Sequence, residues 1–392
     1  MNSLEAIIGL PEFQITAIAQ AGQTVTVSVE YTGKVSCPKC GGSRLRKKDT
    51  YRRQVRHESL GSRWCVLDIK AHKWLCRECG VYFRQQFPGV LKHQRASEPF
   101  RRYIFQLHWD GINRSRLGKR EGIGHATVER YFQYFLGRKA AELQHADCPR
   151  ILGIDEHFFS RKHGFATTFC DLAKHKVYDV VLGRSQLALE SFLSRLKGRH
   201  KVRVVCMDLS STYRAVVRKF FPNALIVADR FHVIRLILQQ FFAVWRSIDP
   251  AGSKNRGLVS LLRRHAKNLT PEQAQRLARY FAQHPAAGML YEMRERLCQL
   301  LLLKDRNAHA SRPLARQFLG HIESLRQSAF APLASLGETL YDWRAEIGRM
   351  WRFRRSNGIT EGFHTKMEVL QRQAYGFRNF KNYRLRVVVM CS

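Results

Sequence analysis

Ile151-Leu152-Gly153-Ile154-Asp155-Glu156 sets an acid directly behind a short apolar run, and Val204-Val205-Cys206-Met207-Asp208-Leu209-Ser210 repeats the arrangement farther along the chain. Short β-branched runs that stop at an acid read as strands whose last residue points out of a sheet edge. Working outward, 165–171 and 176–182 read as two more strands and 187–196 as a helix. A strand over 202–207 ends at Asp208, a helix covers 212–221, and a strand over 224–228 ends at Asp229. The order is a three-strand meander followed by helix, strand, helix, strand. That is the order of a ribonuclease-H-like core, a mixed sheet flanked by helices.

From 231 to about 350 the sequence is helical, basic and amphipathic, with no strand signal. Helical pattern resumes over 360–373, behind Asn357-Gly358-Ile359-Thr360-Glu361-Gly362. The Asn357-Gly358 turn and a Thr360 cap open that helix and set Glu361 in its first turn. Asp155, Asp208 and Glu361 therefore come from strand, strand and helix. Such an arrangement of carboxylates suits two divalent metal ions, magnesium or manganese, and phosphodiester chemistry. Glu156 points away from Asp155 on the opposite side of the strand. Asp229 competes with Asp208 and reads as a supporting residue, as does His364, three residues beyond Glu361; Glu368 is the weakest alternative.

The chain has 392 residues, 67 Lys+Arg against 31 Asp+Glu, and a formal net charge of +36. With 45% hydrophobic residues it has enough apolar material for packed cores, which excludes a disordered basic tail. A polyanionic partner follows from the charge, and nucleic acid is the phosphodiester that fits. No apolar run reaches the roughly 20 residues of a membrane span. The N-terminus MNSLEAIIGL lacks a basic leader. A cytoplasmic, nucleoid-associated protein in a reducing compartment is expected, and there C-x-x-C pairs hold metal more often than disulfides.

Two such pairs occur, Cys37-Pro38-Lys39-Cys40-Gly41 and Cys76-Arg77-Glu78-Cys79-Gly80, each beside a strand-like run. Four thiolates on two glycine-closed knuckles predict a structural zinc ribbon. His57 and His72 are weak substitutes for a ligand. Next, 97–140 is basic and helical. Within it, a helix ending near Glu121, a turn through Gly122 and Gly124 and a helix from His125 form a helix-turn-helix pattern. Ile123 and Val128 would pack the turn, while His125, Thr127, Glu129 and Arg130 would lie near the DNA. At the C-terminal end, Arg378, Lys381 and Arg384 are candidates for phosphate contact, interleaved with Phe377, Phe380 and Tyr383, which read as core.

These motifs together resemble bacterial insertion-sequence transposases of the ISL-three family, of the DDE type, over essentially the whole chain. The resemblance rests on the four cysteines, the helix-turn-helix, Gly153-Ile154-Asp155-Glu156, Met207-Asp208-Leu209-Ser210-Ser211-Thr212-Tyr213, Val227-Ala228-Asp229-Arg230-Phe231-His232-Val233, and the stretch from Asn357 through Phe380. It implies a magnesium-dependent recombinase that binds terminal inverted repeats, cleaves there and joins the ends to target DNA, with Asp155, Asp208 and Glu361 as the triad. Pairing two ends implies a homodimer. The expected architecture is multidomain α+β. A zinc ribbon spans 1–85 and a helix-turn-helix 86–147. The catalytic core spans 148–240, an all-helical insertion 241–349, and the last part of the core 350–392. A DNA-binding regulator without catalysis, and a nuclease that cuts without joining, are the competing readings.

Overall fold

The computed structural model describes residues 8–143, 147–304, 307–353, 357–374 and 376–391. Two compact units divide the chain: Met1–Glu142 with Gln373–Gly376, and Leu143–Arg372 with Phe377–Ser392.

In the first unit, β1 (Phe13–Ala21), β2 (Thr24–Tyr31), β3 (Leu45–Leu60), β4 (Arg63–Cys76) and β5 (Tyr82–Arg84) form one sheet, in the order β1-β2-β4-β3 with β5 also on β4. Val25, Val27 and Val29 of β2 alternate inward and meet Cys65, Leu67, Ile69 and Ala71 of β4 in a buried core. β3 opens on Leu45-Arg46-Lys47-Lys48-Asp49-Thr50, which reads as a basic stretch rather than a strand. Its exposed half carries charge on both faces, so no alternation marks it, and β4 imposes the extended form through a long antiparallel register.

Three helices follow, α1 (Glu98–Trp109), α2 (Arg114–Glu121) and α3 (His125–Leu143). Ser97 and Asn113 cap the first two, and α2 stops at Gly122, whose φ of 64° is left-handed. Ile123 is half-buried and Val128 fully buried in the cluster these helices share, as the turn reading requires. Arg56 joins sheet and helices: its guanidinium lies over Phe100 and Trp64 and donates to the Glu121 carbonyl.

The second unit is built on a mixed sheet of β6 (Ile151–Ser160), β7 (Gly164–Asp171), β8 (Lys176–Leu182), β9 (Val204–Met207) and β10 (Leu225–Ala228), in the order β10-β9-β6-β7-β8. β10, β9 and β6 run parallel, and β6, β7 and β8 form an antiparallel meander. Crossover helices α4 (Gln186–Leu193) and α5 (Ser211–Phe220) connect the parallel strands. α6 (Arg230–Ile248) leaves β10 and runs unbroken through the 240/241 boundary expected between core and insertion. The helices α7 (Arg256–Arg263), α8 (Pro271–Gln283), α9 (Pro285–Leu302), α10 (Ala308–Arg326) and α11 (Ala331–Asp342) follow, then the short α12 (Arg344–Gly348). Their apolar faces continue the core on one side of the sheet. Buried Arg230 holds the insertion to the sheet by donating to the carbonyls of Leu301 and Met350, each at 2.8 Å. Helices α13 (Gly358–Gln373) and α14 (Phe380–Met390) cover the opposite side through Phe363, Met367, Tyr383 and Val387. Tyr383 is buried, and Phe377 and Phe380 pack half-buried against it, as read. No described helix is long and apolar enough to cross a membrane.

Candidate active site and zinc centre

Strand register decides which acids meet. In the parallel β6/β9 pair Ile154 lies opposite Met207, and in β9/β10 Met207 lies opposite Ala228. The next residue on each strand is Asp155, Asp208 and Asp229. Three adjacent strands thus set carboxylates at one level: β9 and β10 stop just before Asp208 and Asp229, whereas β6 runs on past Asp155 to Ser160 because β7 continues to pair with it, so Asp155 does not close its strand as expected. Asp155 and Asp208 each place an oxygen within 4.8 Å of the other and of a His232 ring nitrogen. Asp155 is 3% exposed. Burial, reinforced by the nearby Asp208 charge, raises its carboxyl to about 7.

His232 is the site residue that sequence reading did not single out. Asp229 caps α6 by accepting from the His232 backbone N–H, which turns the side chain three residues on back toward the cap. Its Nδ1 lies 2.8 Å from Asp229 Oδ2 and 2.8 Å from Asp208 Oδ1. Burial opposes a charge on this ring, but the two adjoining carboxylates, Asp208 and Asp229, outweigh it and raise the imidazolium to about 10. The Asp-x-x-His spacing at a strand-to-helix junction was the available signal. The Nδ1 hydrogen is aligned on Asp229, so the buried Asp208 Oδ1 has no hydrogen-bond donor among the described residues. A buried carboxylate oxygen without a donor, facing a second carboxylate, is a fitting position for a hard divalent cation.

The third acid comes on α13. Asn357, only 1% exposed, ties this helix to the acid-bearing strands. Its Nδ2 donates to the Ile154 carbonyl at 2.8 Å and its backbone N–H to Asp229 Oδ1 at 3.1 Å. Thr360 does not cap the helix as expected. It is buried one turn in, and its hydroxyl donates to Asn357 Oδ1 at 3.3 Å. The Asn side chain reaches the sheet, which a threonine at 360 cannot do from inside the turn. Glu361 is exposed and stands outside the Asp155–Asp208–His232 group. It nevertheless shares a helix face with His364, whose Nδ1 is 3.8 Å from Asp155 Oδ2. His364 Nε2 lies 3.2 Å from Thr168 Oγ1, which also meets His157 Nδ1 at 2.9 Å; His157 Nε2 lies 2.7 Å from the Tyr383 hydroxyl. Burial lowers both imidazoles, His364 to about 4 and His157 to about 3, so this network is neutral. Glu156 lies on the alternate face of β6, where it lines the same cleft as the acids and pairs with Arg184 at 2.9 Å, and Glu368 pairs with Arg372.

The four cysteines converge in the first unit. Cys37 and Cys79 sulfurs are 3.5 Å apart, Cys40 and Cys76 3.6 Å, and all four lie within 4.8 Å of one another. Tetrahedral zinc with ~2.3 Å Zn–S bonds needs sulfurs about 3.8 Å apart, far from the ~2.05 Å of a disulfide. Gly41 and Gly80, at φ 74° and 70°, each bond back to the first cysteine carbonyl of the knuckle. The backbone N–H of Cys40 leads the effects that lower the Cys37 thiol to about 7, favouring thiolate. His57 is buried against Ser97 and His72 meets Thr50, so neither joins the cluster.

The sequence model described as "Transposase" matches residues 152–387, and that described as the zinc-finger of transposase IS204/IS1001/IS1096/IS1165 matches 33–79. The chain belongs to the ISL-three transposase family. It is 25% identical over 382 residues to the transposase for insertion sequence element IS1001 of Bordetella parapertussis, covering 93% of this chain and 91% of that protein. The cysteine cluster of this transposase is a structural zinc ribbon.

The remaining candidates of the transposase are placed within their own units. His125 and Arg130 are exposed on the first turns of α3, and Arg130 donates to half-buried Thr127. Glu129 is occupied by Arg114. Arg378 and Lys381 are exposed, whereas the Arg384 guanidinium is held by both oxygens of Asp179 at 2.6 Å, which ties α14 to β8. Its charge is met inside the fold.

Proposed function

We propose that this chain is a metal-dependent DNA transposase that cleaves at the ends of its insertion sequence and joins the 3′-hydroxyl ends to target DNA. The observation that carries this is the register that sets Asp155 and Asp208 side by side, with a donor-less Asp208 oxygen, in a cleft of about 950 Å³ also lined by Arg184 and Arg235. The sheet order and the two helical layers support a ribonuclease-H-like core over 148–240 and 350–392, with 241–349 as a helical insertion.

In this reading Asp155 and Asp208 hold magnesium or manganese, with Glu361 as third ligand from the α13 face that meets Asp155. A pair of such ions, once bound, supplies activation of the attacking water or 3′-hydroxyl and stabilisation of the leaving oxygen. His232 fixes the Asp208 carboxylate against Asp229. Asn357, His364 and Thr168 hold α13 at the depth Glu361 needs. Arg184 and Arg235 offset phosphate charge at the mouth of the cleft. The zinc ribbon and the α2–α3 helix-turn-helix, with His125, Thr127 and Arg130, would bind terminal inverted repeats, and Arg378 and Lys381 the backbone. Two protomers would pair two ends, in the cytoplasm, on the nucleoid.

The test is purified protein with labelled DNA carrying the element's own end, a target plasmid and magnesium, comparing wild type with Glu361→Ala. Cleavage and joining by wild type alone support the reading. Cut ends without joined product would favour a nuclease, and end binding without chemistry in either protein a regulator.

A further inference from the structure

The face of β6 that carries Glu156 also carries Phe158, and across the hairpin Phe158 pairs in register with Phe165 of β7. Their rings meet edge to face, with centroids 5.7 Å apart at 80°. Phe158 is 54% exposed and Phe165 36%, whereas Ile154 and Phe169, farther along the same face, are 1% exposed each. The cause is strand length. β9 stops opposite Ile154, so among the described residues no strand pairs with that edge of β6 beyond it, and α5 meets the hairpin through the Tyr213 hydroxyl on Thr167, at 3.2 Å. Arg184 completes the ledge: it pairs with Glu156 and its guanidinium sits 4.5 Å over the Phe165 ring. Both rings line the same cleft as Asp155 and Asp208.

We propose that Phe158 and Phe165 form a stacking platform for one unpaired nucleobase of the strand that enters this cleft, an inference that rests on the reading of the cleft as a DNA site. A flat aromatic face accepts any base, and a guanidinium held against it adds a cationic edge toward the backbone. The strong positive charge of the chain, and Arg184 and Arg235 in the cleft, select a polyanion over an apolar peptide. A base in an intact duplex keeps both faces stacked, so only one already swung out of the helix can lie on the ring. The platform therefore holds the end of the element open beside the acids.

The probe is an oligothymidylate of about 12 nucleotides carrying one 5-iododeoxyuridine, bound to the full-length protein, alongside a fully paired duplex of the same length. Irradiation should crosslink the peptide containing Phe158 or Phe165. Phe158→Ala and Phe165→Ala should each weaken single-strand binding about tenfold, and duplex binding less than about twofold, while Phe158→Trp retains affinity. Thermal melting of each variant checks that it is folded. Equal losses on both probes, no loss on either, or crosslinks only to other peptides would overturn the proposal. Loss of self-association in sedimentation with unchanged oligonucleotide affinity would overturn it too, by making this face a protein contact. The cleavage assay on wild type separates the two readings. Platform-dependent binding without magnesium-dependent cleavage sinks the transposition chemistry and leaves the platform; cleavage with binding indifferent to both phenylalanines sinks the platform alone.

Discussion

Asn357→Ala should damage the site without touching an acid. The side chain is buried, and its Nδ2 is the donor to the Ile154 carbonyl at 2.8 Å, just where the pairing of β6 with β9 ends. Alanine leaves that carbonyl buried and unmet, at about 1–3 kcal/mol. The 3.3 Å bond from Thr360 is lost as well and adds less, because the bond is long. Together about 2–4 kcal/mol is expected, or a melting point lowered by roughly 5–10 °C for a unit of this size. The backbone bond to Asp229 remains, so α13 stays near the sheet but loses its depth gauge. A displacement of about 1 Å is enough for a roughly 100-fold loss of cleavage. Asn357→Asp keeps the shape but turns an acceptor toward the carbonyl, and should be no better. Thermal melting and magnesium-dependent end cleavage read the two effects. A variant that melts within about 0.5 kcal/mol of wild type and cleaves at the wild-type rate would refute the anchoring argument.

Asp155→Ala and Glu361→Ala should each reduce cleavage more than about 100-fold in a folded protein, since changes behind metal ligands alone cost about 10–100-fold; the end-cleavage assay with a melting control checks this. The raised Asp155 carboxyl means that the folded protein holds a proton the unfolded chain releases. That stability is complete below the unfolded value of 3.8 and is lost as pH rises through about 7, by up to ~4 kcal/mol before any metal binds. Melting in chelator across this range should show the loss, and Asp155→Asn should remove it. His57 has the opposite sign: burial lowers it from 6.5 to about 4, so its contribution is complete above 6.5 and falls by roughly 3 kcal/mol as pH drops through 4, readable as faster hydrogen exchange in β3. Cys76→Ser should abolish bound zinc in metal analysis and unfold the ribbon first.

The mixed sheet was legible because its strands are short apolar runs, two of them followed directly by acids, and its five strands lie where the pattern put them except that β6 runs on past Asp155 to Ser160. The helix break after Glu121 was legible through Gly122, and the zinc ribbon through its paired cysteines. β3 was hidden because charge on both faces erases the period that marks a strand. His232 was hidden for another reason: a histidine in a first helical turn becomes a site residue only when the preceding cap lies beside Asp208, and strand order, not local sequence, decides that. The role of Asn357 was masked by Thr360, the better-known capping type, because the bond that distinguishes them goes to a carbonyl 203 residues away. Arg384 reads as a surface cation until Asp179 is placed opposite it by the packing of α14 on β8.

The anchor at Asn357 also fixes when the site exists. The meander, its crossover helices and Asp229 are complete early in synthesis, yet the bonds that seat α13 and α14 span 203 and 226 residues, from Ile154 to Asn357 and from His157 to Tyr383. Contacts so distant in sequence form late. A chain made only as far as Asp229 therefore carries the two strand acids without α13, whose seating waits for the stretch from Asn357 to Tyr383.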